Sequence, residues 1–171
     1  MSSSQRLHLR DATWQDWQEA SQCSRLPEPP EFQDYPAPYD AFAWSEAEFR
    51  DKLRPAHYEA YAIVLYPESP SDSEKLLGFV KAFDFSVQAC ECGIEILEPE
   101  DYGKGYASEA MQLFLLFLRQ KHQLKTVMGL IHPQNKRSIG LFEKLNFKPD
   151  GLWQDSEAPE QVFLKYVKNL S

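Results

Sequence analysis

Ile94-Glu95-Ile96-Leu97-Glu98-Pro99-Glu100-Asp101-Tyr102-Gly103-Lys104-Gly105-Tyr106-Ala107-Ser108-Glu109-Ala110 reads as a strand that passes through a glycine loop into a helix. A strand over residues 87–97 places Cys90, Cys92, Ile94 and Ile96 on one face. Glu91, Gly93, Glu95 and Leu97 fall on the other face. Residues 106–121 are too long and too apolar for a strand and are rich in helix formers. Arg119, Lys121 and His122 close that helix with positive charge, which complements its dipole. Between the two elements, Gly103 and Gly105 let the backbone curl with its N–H groups exposed at a helix N-terminus. Such a terminus favours an anion. The loop lacks the Gly-Lys-Ser/Thr of a phosphate-binding P-loop and the third glycine of a dinucleotide fingerprint. A tight turn with no ligand is the competing reading of these residues.

Working outward, residues 7–10 alternate as a short edge strand, and Asp11 is read as the cap of a helix over 12–22. Five prolines between Leu26 and Tyr39 exclude regular helix and mark a long loop, of the kind that often forms a lid or a binding wall. Ser45 opens a second helix that ends before Pro55. Strands follow over 58–65, 76–85 and 87–97, then 124–131, a helix over 135–145, and strands over 147–153 and 161–167. The apolar run 113–118 reads as a buried helix face. The strand–helix–strand crossover implies one parallel pair in an otherwise antiparallel sheet. The expected fold is α+β, with a mixed, mostly antiparallel seven-stranded sheet flanked by helices, in one domain over residues 1–171.

The chain has 171 residues and a net charge of −8, which argues against a nucleic-acid partner held through phosphates. Charge is unevenly spread: residues 1–100 carry 8 basic against 19 acidic side chains, and residues 101–148 carry 8 against 3. One half suits a polyanionic ligand and the other a cationic one, and charges that merely decorate solvated faces are the competing reading. No stretch approaches the ~18 apolar residues of a membrane span, and the N-terminus lacks the apolar run of a signal peptide. Three cysteines at sparse spacing do not make a disulfide framework or a metal site, so reduced thiols, a cytoplasmic location and no metal are expected.

The passage from Gly103 to Ala110, followed by Asn135-Lys136-Arg137-Ser138-Ile139-Gly140-Leu141-Phe142-Glu143-Lys144-Leu145-Asn146-Phe147, resembles the GNAT superfamily of acetyltransferases. The branch it is most similar to holds the ribosomal-protein N-terminal and spermidine acetyltransferases. The resemblance implies acetyl-CoA as co-substrate, with its pyrophosphate on backbone N–H groups from Gly103 to Ala107. Tyr102, Lys104 and Tyr106 belong to that loop, with Tyr102 where Arg or Gln is usual. It also implies a central parallel pair splayed into a slot, where the pantetheine pairs with the strand at Ile96 and Leu97. Asn135 corresponds to an asparagine that touches the pantetheine arm, and alternatively caps the helix. Phe142 stands at the tyrosine that protonates the departing thiolate in many members, and a phenyl ring cannot do this. Ser138, one turn earlier, matches a serine given that task in some N-terminal acetyltransferases. A homodimer through the last strands is common in the family.

An amine must lose a proton before it attacks a thioester. Glu95, or Glu91 on the same strand face, is the candidate base, directly or through a water chain, with Glu95 preferred; a simply solvated face is the competing reading. Backbone donors near Leu97 are the candidate oxyanion site. Direct transfer is favoured over an acyl-enzyme on Cys90 or Cys92, because His132 is not obviously placed to serve them. Tyr102, Tyr106, Trp44 and Trp153 are candidates for a pocket lining, although aromatics at such spacing are more often core. The expected activity is acetylation of a primary amine, either a small polyamine-like molecule or a protein N-terminus. A CoA-binding module without turnover is the alternative, motivated by Phe142.

Overall fold

The computed structural model describes residues 5–23, 41–69, 71–154, 156 and 159–170. The proline-rich segment between Leu26 and Tyr39 lies outside them.

The described elements are β1 (Leu7–Asp11), α1 (Trp14–Gln22), α2 (Glu46–Lys52), β2 (Tyr58–Leu65), β3 (Lys75–Phe83), β4 (Ala89–Ile96), α3 (Tyr106–His122), β5 (Thr126–Ile131), α4 (Lys136–Lys144), β6 (Lys148–Gln154) and β7 (Val162–Asn169). They build one seven-stranded sheet in the order β1-β2-β3-β4-β5-β7-β6. Only β4 and β5 run parallel, joined through α3, as the crossover predicted.

Strand alternation divides the core between the two faces. Tyr61 and Ile63 of β2, Cys90 and Cys92 of β4, and Val127 of β5 pack with Met111, Phe114 and Leu118 of α3 and Phe142 of α4. On the opposite face, Ala60, Ala62 and Val64 of β2 and Phe79 of β3 pack with Trp17 of α1, Phe42, Trp44 and Phe49 of α2. Alanine at positions 60 and 62 leaves room for the Trp17 indole, which is fully buried. The run 113–118 is buried at Phe114, Leu115 and Leu118 but not throughout, because the helical period turns Leu116 to solvent.

The start of α1 differs from the expectation. Asp11 is the last residue of β1, opposite Tyr61, so its backbone belongs to the sheet. Thr13 caps the helix: its side chain accepts from the Asp16 N–H, while the Asp16 carboxylate accepts from the Thr13 N–H at 2.8 Å. Arg10 holds both Asp16 oxygens at 2.7 Å. Ser45 opens α2 as expected, in a capping box with Glu48.

The parallel pair holds for only three positions, Ala89–Thr126, Cys90–Val127 and Glu91–Met128. Both strands continue beyond them, β4 to Ile96 and β5 to Ile131. The two strands therefore part in mid-sheet and leave facing backbone edges unpaired.

Candidate active site

The direction of the exposed β4 groups follows from one hydrogen bond. The Leu97 N–H donates to the Leu77 carbonyl of β3 at 2.9 Å. Backbone polar groups alternate in direction along a strand, so Glu95 and Leu97 face β3 while Ile94 and Ile96 turn toward the gap beside β5. Gly78 of β3 fits the same arrangement, since a Cβ there would lie 1.9 Å from the Glu95 carbonyl oxygen. Ile96 thus turns its backbone toward the gap. The Leu97 N–H does not, because the ladder to β3 has taken it, and the amides that face the gap are those of Ile94 and Ile96.

At the end of β4 a 3-10 turn, Pro99–Asp101, with Glu98 at its N-cap, leads into the glycine loop. Asp101 is buried between the Lys75 ammonium at 2.8 Å and the Lys104 ammonium at 3.1 Å. Burial opposes its charge, yet hydrogen bonds from the two lysines outweigh this and hold its carboxyl below the ordinary value. Lys104 therefore spends its charge on Asp101 rather than adding it to the loop. Gly103 and Gly105 have φ of 74° and 85°, and a Cβ on Gly103 would meet nothing within 4 Å. Glycine is demanded by the backbone here, not by space. Gly105 is the N-cap of α3 and supplies no side chain to it, whereas Thr13, Ser45 and Asn135 cap the other three described α-helices. The first-turn amides of Tyr106, Ala107 and Ser108 are left without a side-chain acceptor at the positive end of a 17-residue helix.

Two arginines flank this loop. The Arg137 guanidinium of α4 lies 5.0 Å over the Tyr102 ring, and that of Arg6 lies 4.7 Å over the Tyr106 ring. Nothing local to the glycine loop announces Arg6, which is about a hundred residues away in sequence. Only its position just ahead of an edge strand, β1, was available as a signal.

In α4, Asn135 is the N-cap, and its Oδ1 accepts from the Ser138 N–H at 3.1 Å. Ser138 is half-buried, and its hydroxyl has no hydrogen-bond partner among the described residues. Phe142 is buried against β5 so closely that a Cβ on Gly129 would lie 2.2 Å from its ring. It packs with Phe147 at 4.6 Å and offers no donor. The neighbouring Tyr166 hydroxyl points elsewhere, donating to Glu143 at 3.1 Å.

Glu91 and Glu95 share the face opposite α3, as their spacing predicted. Glu95 is 3.3 Å from the Lys81 ammonium, which itself lies 4.7 Å from the Phe42 ring and 5.4 Å from that of Trp17. The preferred base is thus committed to an ion pair. In Glu91, burial pushes the carboxyl up to about 7, the charge of Asp84 adds to this, and donation from the Leu130 backbone opposes it. Because Leu130 belongs to β5, the Glu91 side chain reaches across at the point where the two strands part. Cys90 and Cys92 are buried thiols, that of Cys90 pushed up to about 12, so neither is set up as a nucleophile. His132 accepts from the Gln134 N–H at 3.2 Å. The four aromatics weighed as a pocket lining are dispersed. Trp44 is buried beside Trp17, Tyr102 and Tyr106 flank the loop, and Trp153 lies on β6 against Phe163.

A family model described as the acetyltransferase (GNAT) domain matches residues 6–148. The chain belongs to this family. The match spans the parted strands, the glycine loop and all of α4. No curated protein matches the chain. Among solved structures, the fold is shared with spermidine N-acetyltransferase from Vibrio cholerae in complex with CoA and spermine, at 17% identity and a TM-score of 0.71, covering 98% of this chain and 97% of that one. A candidate ribosomal-protein-serine acetyltransferase from the same organism is 18% identical, with a TM-score of 0.72 over 98% and 95% of the two chains. A domain from Methanocaldococcus jannaschii is 20% identical, with a TM-score of 0.64 over 96% and 98%. For a GNAT member, the site's donor set fits an acyl-CoA. Unpaired amides on β4 suit the amide-bearing pantetheine, and the uncapped N-terminus of α3 suits a diphosphate.

Proposed function

We propose that this GNAT member transfers an acetyl group from acetyl-CoA to a primary amine by direct attack. The observation that carries the reading is the continuity of the unpaired β4 edge with the uncapped, glycine-led N-terminus of α3. Together they offer donors for a pantetheine arm and a diphosphate along one path. The cofactor-binding residues are then Ile96, Tyr102, Gly103, Lys104, Gly105, Tyr106 and Ala107 through their backbone or the shape of the loop. Asn135 holds the start of α4 beside the arm, and Phe142 packs beneath it.

Acetyl-CoA supplies the acyl group as a thioester. The acceptor amine, an ammonium at neutral pH, loses its proton to Glu91 directly or through water. Glu91 takes this role in place of Glu95, whose charge Lys81 already balances. The Ile94 and Ile96 amides face the slot and donate to the carbonyl oxygen as charge grows on it. As the C–N bond forms and the C–S bond breaks, the Ser138 hydroxyl, in place of the donor that Phe142 lacks, passes its proton to the sulfur and is reprotonated from solvent.

Two acceptor classes are proposed, polyamine-like molecules and protein N-termini; the structural relatives include a spermidine acetyltransferase and one named for a ribosomal-protein serine. Thiol release from acetyl-CoA across a panel of both classes tests the activity. The proposal expects release above the acceptor-free rate with at least one amine. The second reading, a CoA-binding protein without turnover, is favoured by the phenyl ring at Phe142. Tight acetyl-CoA binding with no release on any amine would establish it instead. A homodimer is part of the proposal, supported by β6, an edge strand exposed along its whole length with Leu152 and Trp153 on it.

A further inference from the structure

We infer that Arg6 is a positioning residue for the cofactor's diphosphate, acting by neutralising Glu109 in the first turn of α3. The inference rests on the reading of the glycine loop as the diphosphate site. Glu109 is held from three sides by one residue. Its Oε1 accepts the Arg6 backbone N–H at 2.8 Å, and its Oε2 accepts Arg6 Nε at 2.9 Å and meets Arg6 Nη2 at 2.9 Å. Arg6 is itself anchored, since its carbonyl accepts from the Tyr66 N–H of the chain following β2 at 3.0 Å.

A carboxylate in the first turn of a helix is stabilised by the same dipole and the same amides that would hold a phosphate. Left uncompensated, Glu109 would compete with a diphosphate for that field and repel it across a few ångströms. The Arg6 guanidinium removes this penalty. It does so without standing in the ligand's place. Arg6 Nη1 donates to the Lys104 carbonyl at 3.1 Å. In a trans peptide the N–H points away from the C=O, so the Gly105 N–H faces the side remote from Arg6. Phosphates held by Gly105 and the first turn lie on that far side, and Arg6 acts on them through Glu109.

The test is calorimetric titration of CoA into the full chain and into the variants Arg6→Gln, Glu109→Gln and Arg6→Gln/Glu109→Gln. The expected result is a loss of affinity of about tenfold in Arg6→Gln, within the range of helix-terminus charge effects in partly buried sites. Affinity returns to within about threefold of the wild type in the double variant, and Glu109→Gln alone binds at least as tightly as the wild type. Melting temperatures of the unliganded proteins separate this from a purely structural tie. Both variants lacking Arg6 should melt lower than the wild type, while only the single one loses affinity. Arg6→Gln binding as the wild type does, a double variant as weak as the single one, or a weakened Glu109→Gln would each overturn the inference. The last of these needs no change at Arg6 and stands if the Arg6 variants fail to fold. Wild-type protein that does not bind CoA would instead remove the loop reading itself.

Discussion

Glu91 and Glu95 lie two residues apart on the same face of β4, and what each one meets separates them. Lys81 compensates Glu95, whereas Glu91 is enclosed, faces the charge of Asp84 and is pushed up to about 7. Its basic form therefore grows as the pH rises through neutrality, which is the range where a proton acceptor for an ammonium is useful. Glu91→Gln should lower kcat/KM by about a hundredfold and remove a rising limb centred near pH 7, with CoA affinity within about twofold of the wild type. Glu95→Gln should change the rate by less than about fivefold. A pH–rate profile of the three proteins decides between them. The sequence showed that both carboxylates share a face, because that depends only on the period of a strand. Which of them is left basic depends on Lys81, Asp84 and Leu130, partners brought in by the fold. Arg6 was hidden for the same reason: its contact with Glu109 spans 103 residues.

Elements set the slot. The glycine loop, the crossover helix and the strand before it were legible because their signals are local: positive-φ glycines, apolar period and terminal charge. The caps were legible where a side chain stands directly at the helix start, as with Ser45 and Asn135. Asp11 misled because a strand reached one residue farther than its alternation implied, and Thr13 took the cap. The parting of β4 from β5 came from family resemblance and not from the residues. Asn135→Ala, which removes the acceptor for the Ser138 N–H, should cost about 1 kcal/mol, seen as a melting temperature lower by about 3 °C. Gly129→Ala presses a Cβ onto the buried Phe142 ring, so an overpacking loss of about 1–3 kcal/mol is expected in denaturant titration.

Across the whole molecule, a charged cluster ties the C-terminal end of α3 to β2. Glu59, buried, accepts from the Ala56 N–H at 2.7 Å and lies 3.0 Å from both Lys121 Nζ and His122 Nε2, while Tyr61 also donates to it. Burial opposes its charge, but these donors bring its carboxyl down to about 2 from an ordinary 4.5. A depressed carboxyl stabilises the fold fully above its unfolded value and loses that contribution as the pH falls toward the folded one. Glu59→Gln should therefore melt well below the wild type at pH 7, by a free energy of about 3 kcal/mol. The gap should narrow as the pH drops from about 4.5 toward 2 in parallel thermal scans. At the sheet's far edge, sedimentation should show a homodimer that Trp153→Arg converts to a monomer if β6 forms the contact; a monomeric wild type would refute the dimer.

The central claim, that acetyl-CoA lies along β4 with its diphosphate on the N-terminus of α3, meets its most direct test at Gly105. Acetyl-CoA should raise the melting temperature of the wild-type protein. Gly105→Val, folded but unable to adopt a φ of 85° without strain, should show no such rise. An equal rise in both proteins would contradict the account.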